Sequence, residues 1–313
     1  MFCISYQGIN TDGEKERHQI MVSLKPFKGT RPFNEEAINI IAPSTDHLSE
    51  ENIDLFTNKN YWNYLKVLNP VGQLKESDTL LAAKNHFNEM KKNDVIKQDD
   101  KLSFYIYQIS QGDHTQLGFL ALANIDDFLS HKIKGHENTL VNRMNERAEQ
   151  MINIETQIGP IYMSYPDDKN INKLLENFTS QEPDYDFKSF DHSLHKLWCI
   201  SDSKDIEIIS KQLKSINSLY IADGHHRMGA MNIISQNYKK YGAQSKRNRS
   251  CDGVMIAAFP AEQSKIYDYN RVIKDLNGLS ETDFLNKLKE NFKITLSDSA
   301  FKPKSNRQFG MYH

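Results

Sequence analysis

The sequence predicts a mixed α/β protein, with helices and strands interleaved along the chain in an α+β manner. Two observations predict it. Segments whose apolar residues repeat every three or four positions alternate with short runs rich in β-branched and aromatic residues. Two of those runs are separated by Gly112-Asp113, a pair typical of a hairpin turn. Such a mixture predicts a sheet packed against helices.

The predicted elements follow one another closely after residue 80. A helical stripe is formed by Leu80, Ala83, Phe87 and Met90. The hairpin strands are predicted at 104–109 and 117–125. Further elements are predicted in this order: a helix at 141–152, a strand at 159–165, a helix at 171–178, a strand at 195–200, a helix at 206–216, a strand at 218–222, a helix at 228–234 and a strand at 253–259. Ser280 and Asp283 form a capping box that predicts the start of a last helix.

Three regions are predicted from these patterns. Residues 1–20 are polar and irregular and are expected to form a loose extension. Residues 21–260 are expected to form the main α/β region. Residues 261–313 are expected to begin a C-terminal region that continues beyond this sequence, because 309–313 has the pattern of a strand that is cut off at its start.

Composition excludes several classes of protein. The 39 basic and 41 acidic residues give a net charge of −2, which argues against a general nucleic-acid-binding surface. The three cysteines, Cys3, Cys199 and Cys251, are far apart and predict neither a disulfide framework nor a structural zinc site. No apolar run approaches the ~20 residues of a membrane helix. We therefore expect a cytoplasmic protein without a membrane partner.

The segment Asp223 to Arg227 is the strongest candidate site. A short apolar strand ends there, a glycine follows, and a helix begins. Backbone N–H groups at a helix N-terminus attract phosphate, Gly224 permits close approach, and Arg227 offers a planar fork to phosphate oxygens. One of His225 and His226 is expected to meet a ligand while the other packs. Asp223 is expected to bind magnesium or to orient a histidine. The alternative is a plain strand–turn–helix junction.

A second candidate segment precedes the predicted helix at 141. His136 and Glu137 lie where an imidazole and a carboxylate can reach a cleft, and Thr139 is expected to cap the helix. A metalloprotease motif is excluded because position 140 is Leu140. An exposed polar loop is the alternative.

Two weaker candidates lie at either side of these segments. Asp46 follows the proline-containing stretch at 42–45 and is either a metal ligand or a helix cap. Arg271 lies in a stretch, 267–272, that alternates like a strand, and it faces either a ligand or water.

Five stretches in this order resemble the bacterial and archaeal domain-of-unknown-function family 1015. The matching residues are Pro26, Phe27, Gly29, Arg31 and Pro32; Ala42, Pro43 and Asp46; Lys134, His136, Glu137 and Thr139; Ala222 to Arg227; and Tyr269 to Val272. The resemblance covers residue 21 to the end. It departs at Ser44-Thr45, where the family pattern has Pro-Tyr.

The Asp-Gly-His-His-Arg stretch is also similar to the phosphate motif of the ParB/sulfiredoxin superfamily, which includes free-serine kinases and CTP-dependent DNA clamps. The resemblance implies a ParB/sulfiredoxin-like phosphate-binding core with an additional mixed sheet and helices. It also implies a nucleotide-dependent phosphotransferase that acts on a small hydroxyl compound such as serine, or in reverse on phosphoserine, with ATP or ADP and magnesium.

In that hypothesis each candidate residue takes a role. The cofactor-binding residues are Asp223, Gly224, His225, Arg227 and Arg271. The catalytic residues are Glu137 as base, His136 and His226. Asp223 and Asp46 bind magnesium. Two alternatives remain open: a ParB-like nucleotide-gated DNA switch, for which the sequence offers no basic helix-turn-helix region, and a regulatory module that binds a phosphorylated metabolite without turnover.

Overall fold

The computed structural model describes residues 21–33, 37–42, 50–68, 76–241, 252–266 and 270–312. The chain divides into two compact units, Met1–Lys265 and Ile266–His313. The predicted loose extension at 1–20 and the candidate ligand Asp46 lie outside the described residues.

Helices and strands alternate through most of the first unit. The strands are β1 (Leu24–Lys25), β2 (Thr30–Pro32), β3 (Ile96–Gln98), β4 (Phe104–Gln111), β5 (His114–Asn124), β6 (Ile133–Lys134), β7 (Ile161–Tyr165), β8 (Tyr185–Lys188), β9 (Leu194–Ile200), β10 (Leu219–Asp223) and β11 (Gly253–Pro260). The helices are α1 (Ala37–Ile40), α2 (Glu50–Lys59), α3 (Leu65–Leu68), α4 (Glu76–Lys92), α5 (Ile125–Leu129), α6 (Val141–Ile154), α7 (Lys169–Thr179), α8 (Ser203–Leu213), α9 (His225–Tyr241) and, in the second unit, α10 (Glu281–Lys289).

Nine of the strands form one mixed sheet. Its order is β6-β10-β7-β11-β5-β4-β9-β8, and β1 adds to β5 beside this path. The pairs β6/β10 and β7/β11 are parallel, whereas the other pairs are antiparallel. The hairpin predicted around Gly112-Asp113 is the β4–β5 pair. The mixed α/β class predicted from the sequence is confirmed.

Helices α6 to α9 cover one face of this sheet. Alternate residues of each strand point to that face, as period two requires, so that Ile161, Met163 and Tyr165 of β7 are all buried there. Helix α7 adds Ile171 and Leu175, which lie on one side of the helix, to the same core. This face contains the main hydrophobic core.

The opposite face carries a second, more aromatic core. It includes Phe27, Tyr105, Tyr185 and Phe259. Gly118 of β5 lies beneath Phe259, and a Cβ atom built there would lie 2.2 Å from the carbonyl oxygen of Ala258. Glycine is therefore required where β5 and β11 approach most closely.

The stretch Pro26 to Pro32 ties the small β2–β3 sheet to this second core. The Nε of Arg31 donates to Asp99 at 2.8 Å, and the hydroxyl of Tyr105 donates to the same carboxylate at 2.6 Å. The N–H of Gly29 donates to the hydroxyl of Tyr105 at 2.7 Å. Residues of the first family-like stretch therefore serve the fold through a partly buried polar network.

Two local predictions are wrong. Helix α6 has Leu140 as its N-cap, with no side-chain hydrogen bond, so Thr139 does not cap it. Residues 309–312 form no strand. In the second unit, by contrast, the hydroxyl of Ser280 accepts from the N–H of Asp283 and caps α10, as the sequence predicts. Of the helices in the described ranges, none is long and apolar enough to cross a membrane.

Candidate functional site

The two candidate segments leave the sheet side by side. Strands β6 and β10 are parallel neighbours at its edge, with Lys134 opposite Tyr220. Parallel neighbours end at the same side of a sheet, so the segment from 135 to α6 and the segment from Gly224 to α9 begin next to each other. Helices α6 and α9 then pack so closely that a Cβ atom at Gly229 would lie 2.1 Å from Sδ of Met144.

His225 connects the two segments. Its Nδ1 lies 3.1 Å from Oε2 of Glu137, and its Nε2 accepts a hydrogen bond from the N–H of His136 at 3.2 Å. The His136 ring packs edge-on against the His225 ring, with centroids 4.5 Å apart. Gly135 permits this approach, since a Cβ atom there would lie 3.1 Å from Cδ2 of His225.

These contacts define the protonation state of His225. Nitrogen Nε2 accepts from a backbone N–H, so it carries no proton, and the proton of the neutral ring is on Nδ1, 3.1 Å from Oε2 of Glu137. Burial lowers the pKa of His225, and the nearby His136 lowers it further, against the opposing charges of Glu137 and Asp223. Geometry and electrostatics agree on a neutral ring.

His226 connects the same two segments one residue further on. Its Nε2 accepts the N–H of Leu140 at 3.2 Å. Leu140 is the N-cap residue of α6. His226 is half-buried, whereas the side chain of His225 is only 5% exposed.

Arg227 forms hydrogen bonds within the protein. Its Nη1 donates to the carbonyl oxygen of Pro160 at 2.6 Å, and its Nη2 donates to Oδ2 of Asp223 at 2.6 Å. The side chain of Arg227 is 18% exposed and that of Asp223 is 71% exposed. Gly224 has φ of 100°, and a Cβ atom there would lie 3.0 Å from the guanidinium, so only glycine fits this turn.

The two helices that begin at the site have unusual N-termini. Four other helices are capped by a side chain, from Asn124, Asp168, Asp202 and Ser280. In contrast, α6 has no side-chain cap, and α9 follows Gly224, which has no side chain. Neither helix has an acidic residue in its first turn. Both therefore leave N–H groups and positive helix-dipole ends for an anion.

The remaining candidates are Arg271 and the predicted magnesium ligands. Arg271 lies exposed in the second unit. No group of three His, Cys, Asp or Glu residues that would hold a metal ion occurs in the described part of the chain. The predicted magnesium ligands therefore stay a prediction, with the carboxylate of Asp223 paired to Arg227.

Sequence reasoning missed the backbone groups that the motif side chains bind. The N–H of His136, the N–H of Leu140 and the carbonyl of Pro160 leave no pattern of their own in a sequence. Gly135 is the one available signal, since a glycine directly before a His-Glu pair indicates close approach of another group.

The fold and the site define a mixed α/β protein in which a buried histidine joins a carboxylate to the N-termini of two helices. The chain belongs to the family described as protein of unknown function (DUF1015), whose model matches residues 24–313. The resemblance stated from the sequence is confirmed for that family. No curated protein and no solved structure matches the chain.

Proposed function

We propose that this protein transfers a phosphoryl group between a nucleotide and a small hydroxyl compound, with serine or phosphoserine as the first candidates. The observation that supports the proposal is the carboxylate of Glu137, held 3.1 Å from Nδ1 of His225, next to the N-termini of α6 and α9. A fixed carboxylate beside two anion-attracting helix ends supplies what phosphoryl transfer needs: positioning, charge stabilisation and a proton acceptor.

The helix ends are the proposed phosphate-binding groups. The first N–H groups of α6 and α9 have no carbonyl partner within their helices. Neither helix has an acidic residue in its first turn, and no side chain caps α6, so we propose that an anionic ligand binds these N–H groups.

Glu137 is the proposed general base. Its side chain is 58% exposed, so it can meet a substrate, while His225 beneath it is buried. One carboxylate oxygen lies 3.1 Å from Nδ1 of His225, and the other is available to accept the proton of a hydroxyl group. In this proposal the buried His225 supports the site, and the exposed Glu137 takes part in the reaction.

Magnesium and a nucleotide fit this site as a joint ligand. Magnesium usually binds through one or two carboxylates together with substrate phosphates, so a preformed group of three protein ligands is not required. Asp223 offers an exposed carboxylate beside the α9 terminus. When bound, the metal would neutralise phosphate charge, and Asp223 is the described residue that would hold it.

A regulatory module that binds a phosphorylated metabolite is the second candidate. The hydrogen bonds of Arg227 favour this second candidate. The guanidinium donates to Pro160 and Asp223, so it has a structural role when no ligand is bound. In that case the helix ends would bind phosphate and no transfer would follow.

One pair of measurements separates these functions. Thermal unfolding is followed with ATP, ADP, CTP and phosphoserine, each with and without magnesium, since a ligand of the folded state raises the melting temperature. The stabilising combinations are then incubated with serine and other small alcohols, and products are read by ³¹P NMR. New phosphate esters, or loss of phosphoserine, support the transferase. Stabilisation without any product supports the binding module.

A further inference from the structure

Three consecutive side chains at the start of α9 each bind a backbone group from another segment. His225 accepts the N–H of His136, His226 accepts the N–H of Leu140, and Arg227 donates to the carbonyl of Pro160. The first two contacts lie at the two ends of the loop 136–140, which contains Glu137. The histidine pair therefore holds this loop at both ends.

We propose that His225 and His226 are positioning residues, which hold the loop 136–140 so that Glu137 and the first turn of α6 face one ligand. The proposal deepens the proposed function and depends on it for the reaction. It changes the roles expected from the sequence, where His225 binds the cofactor and His226 takes part in catalysis. The group that meets the substrate is Glu137.

The lone pair of each Nε2 atom is the chemical basis of this role. A nitrogen that accepts a backbone N–H offers neither a proton nor a free lone pair to a ligand. In His225 the ring proton is then on Nδ1, which lies 3.1 Å from Oε2 of Glu137. The backbone of His136 thereby orients the carboxylate through the imidazole ring, as a supporting shell orients a reacting group.

The test uses two substitutions at His226 that differ in reach. The side-chain amide oxygen of glutamine can take the place of Nε2 and accept the N–H of Leu140, whereas the shorter side chain of asparagine cannot. We expect His226→Gln to retain kcat within about 3-fold of wild type, and His226→Asn to lose roughly 10- to 100-fold with KM changed much less. If His226 itself transferred a proton or bound phosphate, both variants would lose activity equally, which would overturn the proposal.

A second readout does not depend on activity. Amide hydrogen exchange is measured by NMR at Leu140 in the intact chain, together with the ¹⁵N shifts of the histidine rings. The Leu140 amide should be protected in wild type and in His226→Gln and should exchange faster in His226→Asn. The rings of His225 and His226 should both be protonated at Nδ1 and unprotonated at Nε2. Protonated Nε2 atoms, or equal exchange in all three proteins, would contradict the positioning role.

The two readouts keep the failure of each proposal distinct. If wild type transfers no phosphate while the Leu140 amide and the ring tautomers behave as expected, the proposed reaction is wrong and the positioning of the loop stands. If transfer occurs but His226→Gln is as inactive as His226→Asn, the reaction stands and His226 acts directly on the ligand.

Discussion

Replacing Gly224 by alanine should destabilise the protein through Arg227. The backbone at Gly224 has φ of 100°, which is strained for any residue with a Cβ atom and costs on the order of 1–3 kcal/mol. The new methyl group would also lie 3.0 Å from Nε and Nη2 of Arg227. The guanidinium must then move away from Pro160, and a hydrogen bond from a charged donor is worth about 1.5–3 kcal/mol.

The contact with Asp223 adds little to this sum, because its carboxylate is largely exposed and exposed ion pairs contribute about 0–1 kcal/mol. We therefore expect Gly224→Ala to lower the free energy of unfolding by about 2.5–6 kcal/mol. Urea unfolding followed by the fluorescence of buried Trp198 measures this change.

A double-mutant cycle separates the two causes. In an Arg227→Ala background the methyl group at position 224 no longer meets a guanidinium, so Gly224→Ala should cost only the backbone strain. The coupling between the two sites should be about 1.5–3 kcal/mol, the value of the lost hydrogen bond. A Gly224→Ala protein within about 0.5 kcal/mol of wild type would contradict the turn geometry. An equal cost in both backgrounds would contradict the steric link to Arg227.

Two further predictions concern the fold. Gly118→Ala should cost about 3 kcal/mol, because its methyl group would meet the carbonyl of Ala258 in β11, a strand that is paired on both sides. Gly253→Ala is the control, since its methyl group would meet only the end of a side chain, at 3.1 Å. Equal melting temperatures for the two variants would refute the argument. Burial lowers the pKa of His195 to about 4, below the ~6.5 of an unfolded chain, so the unfolded state binds this proton first as the pH falls. Stability should be full above about pH 6.5 and decline toward pH 4 more steeply in wild type than in His195→Gln, and parallel urea midpoints across that range would contradict this.

The long elements were predictable because their apolar spacing repeats often enough to be read. Helix α7 shows this, since Ile171 and Leu175 recur on one side and Asp168 caps the first turn. Helices α1 and α3 have four residues each and too few turns to show a period, so nothing in the sequence predicted them. Thr139 was wrongly expected to cap α6 because hydroxyl residues are common at the N-cap position. In the structure Leu140 occupies that position, and no side chain caps the helix.

The candidate site was located from the sequence more readily than its roles were. A glycine between a strand and two histidines indicated where the chain turns, and the structure brings His136 and Glu137 to His225. The bonds of Arg227 to Pro160 and Asp223 were not predicted, because a sequence pattern does not show which backbone carbonyl will lie nearby. The residue type alone suggested that Arg227 binds phosphate, whereas in the fold its guanidinium donates to Pro160 and Asp223.

Phosphoryl transfer by the Glu137→Gln variant is the most direct test of the proposed reaction. Glutamine keeps the shape of the side chain beside His225, but its amide cannot take a proton from a hydroxyl group. We expect Glu137→Gln to bind the nucleotide with wild-type affinity and to lose transfer by at least about 100-fold in kcat. A variant that transfers phosphate at the wild-type rate would contradict Glu137 as the base.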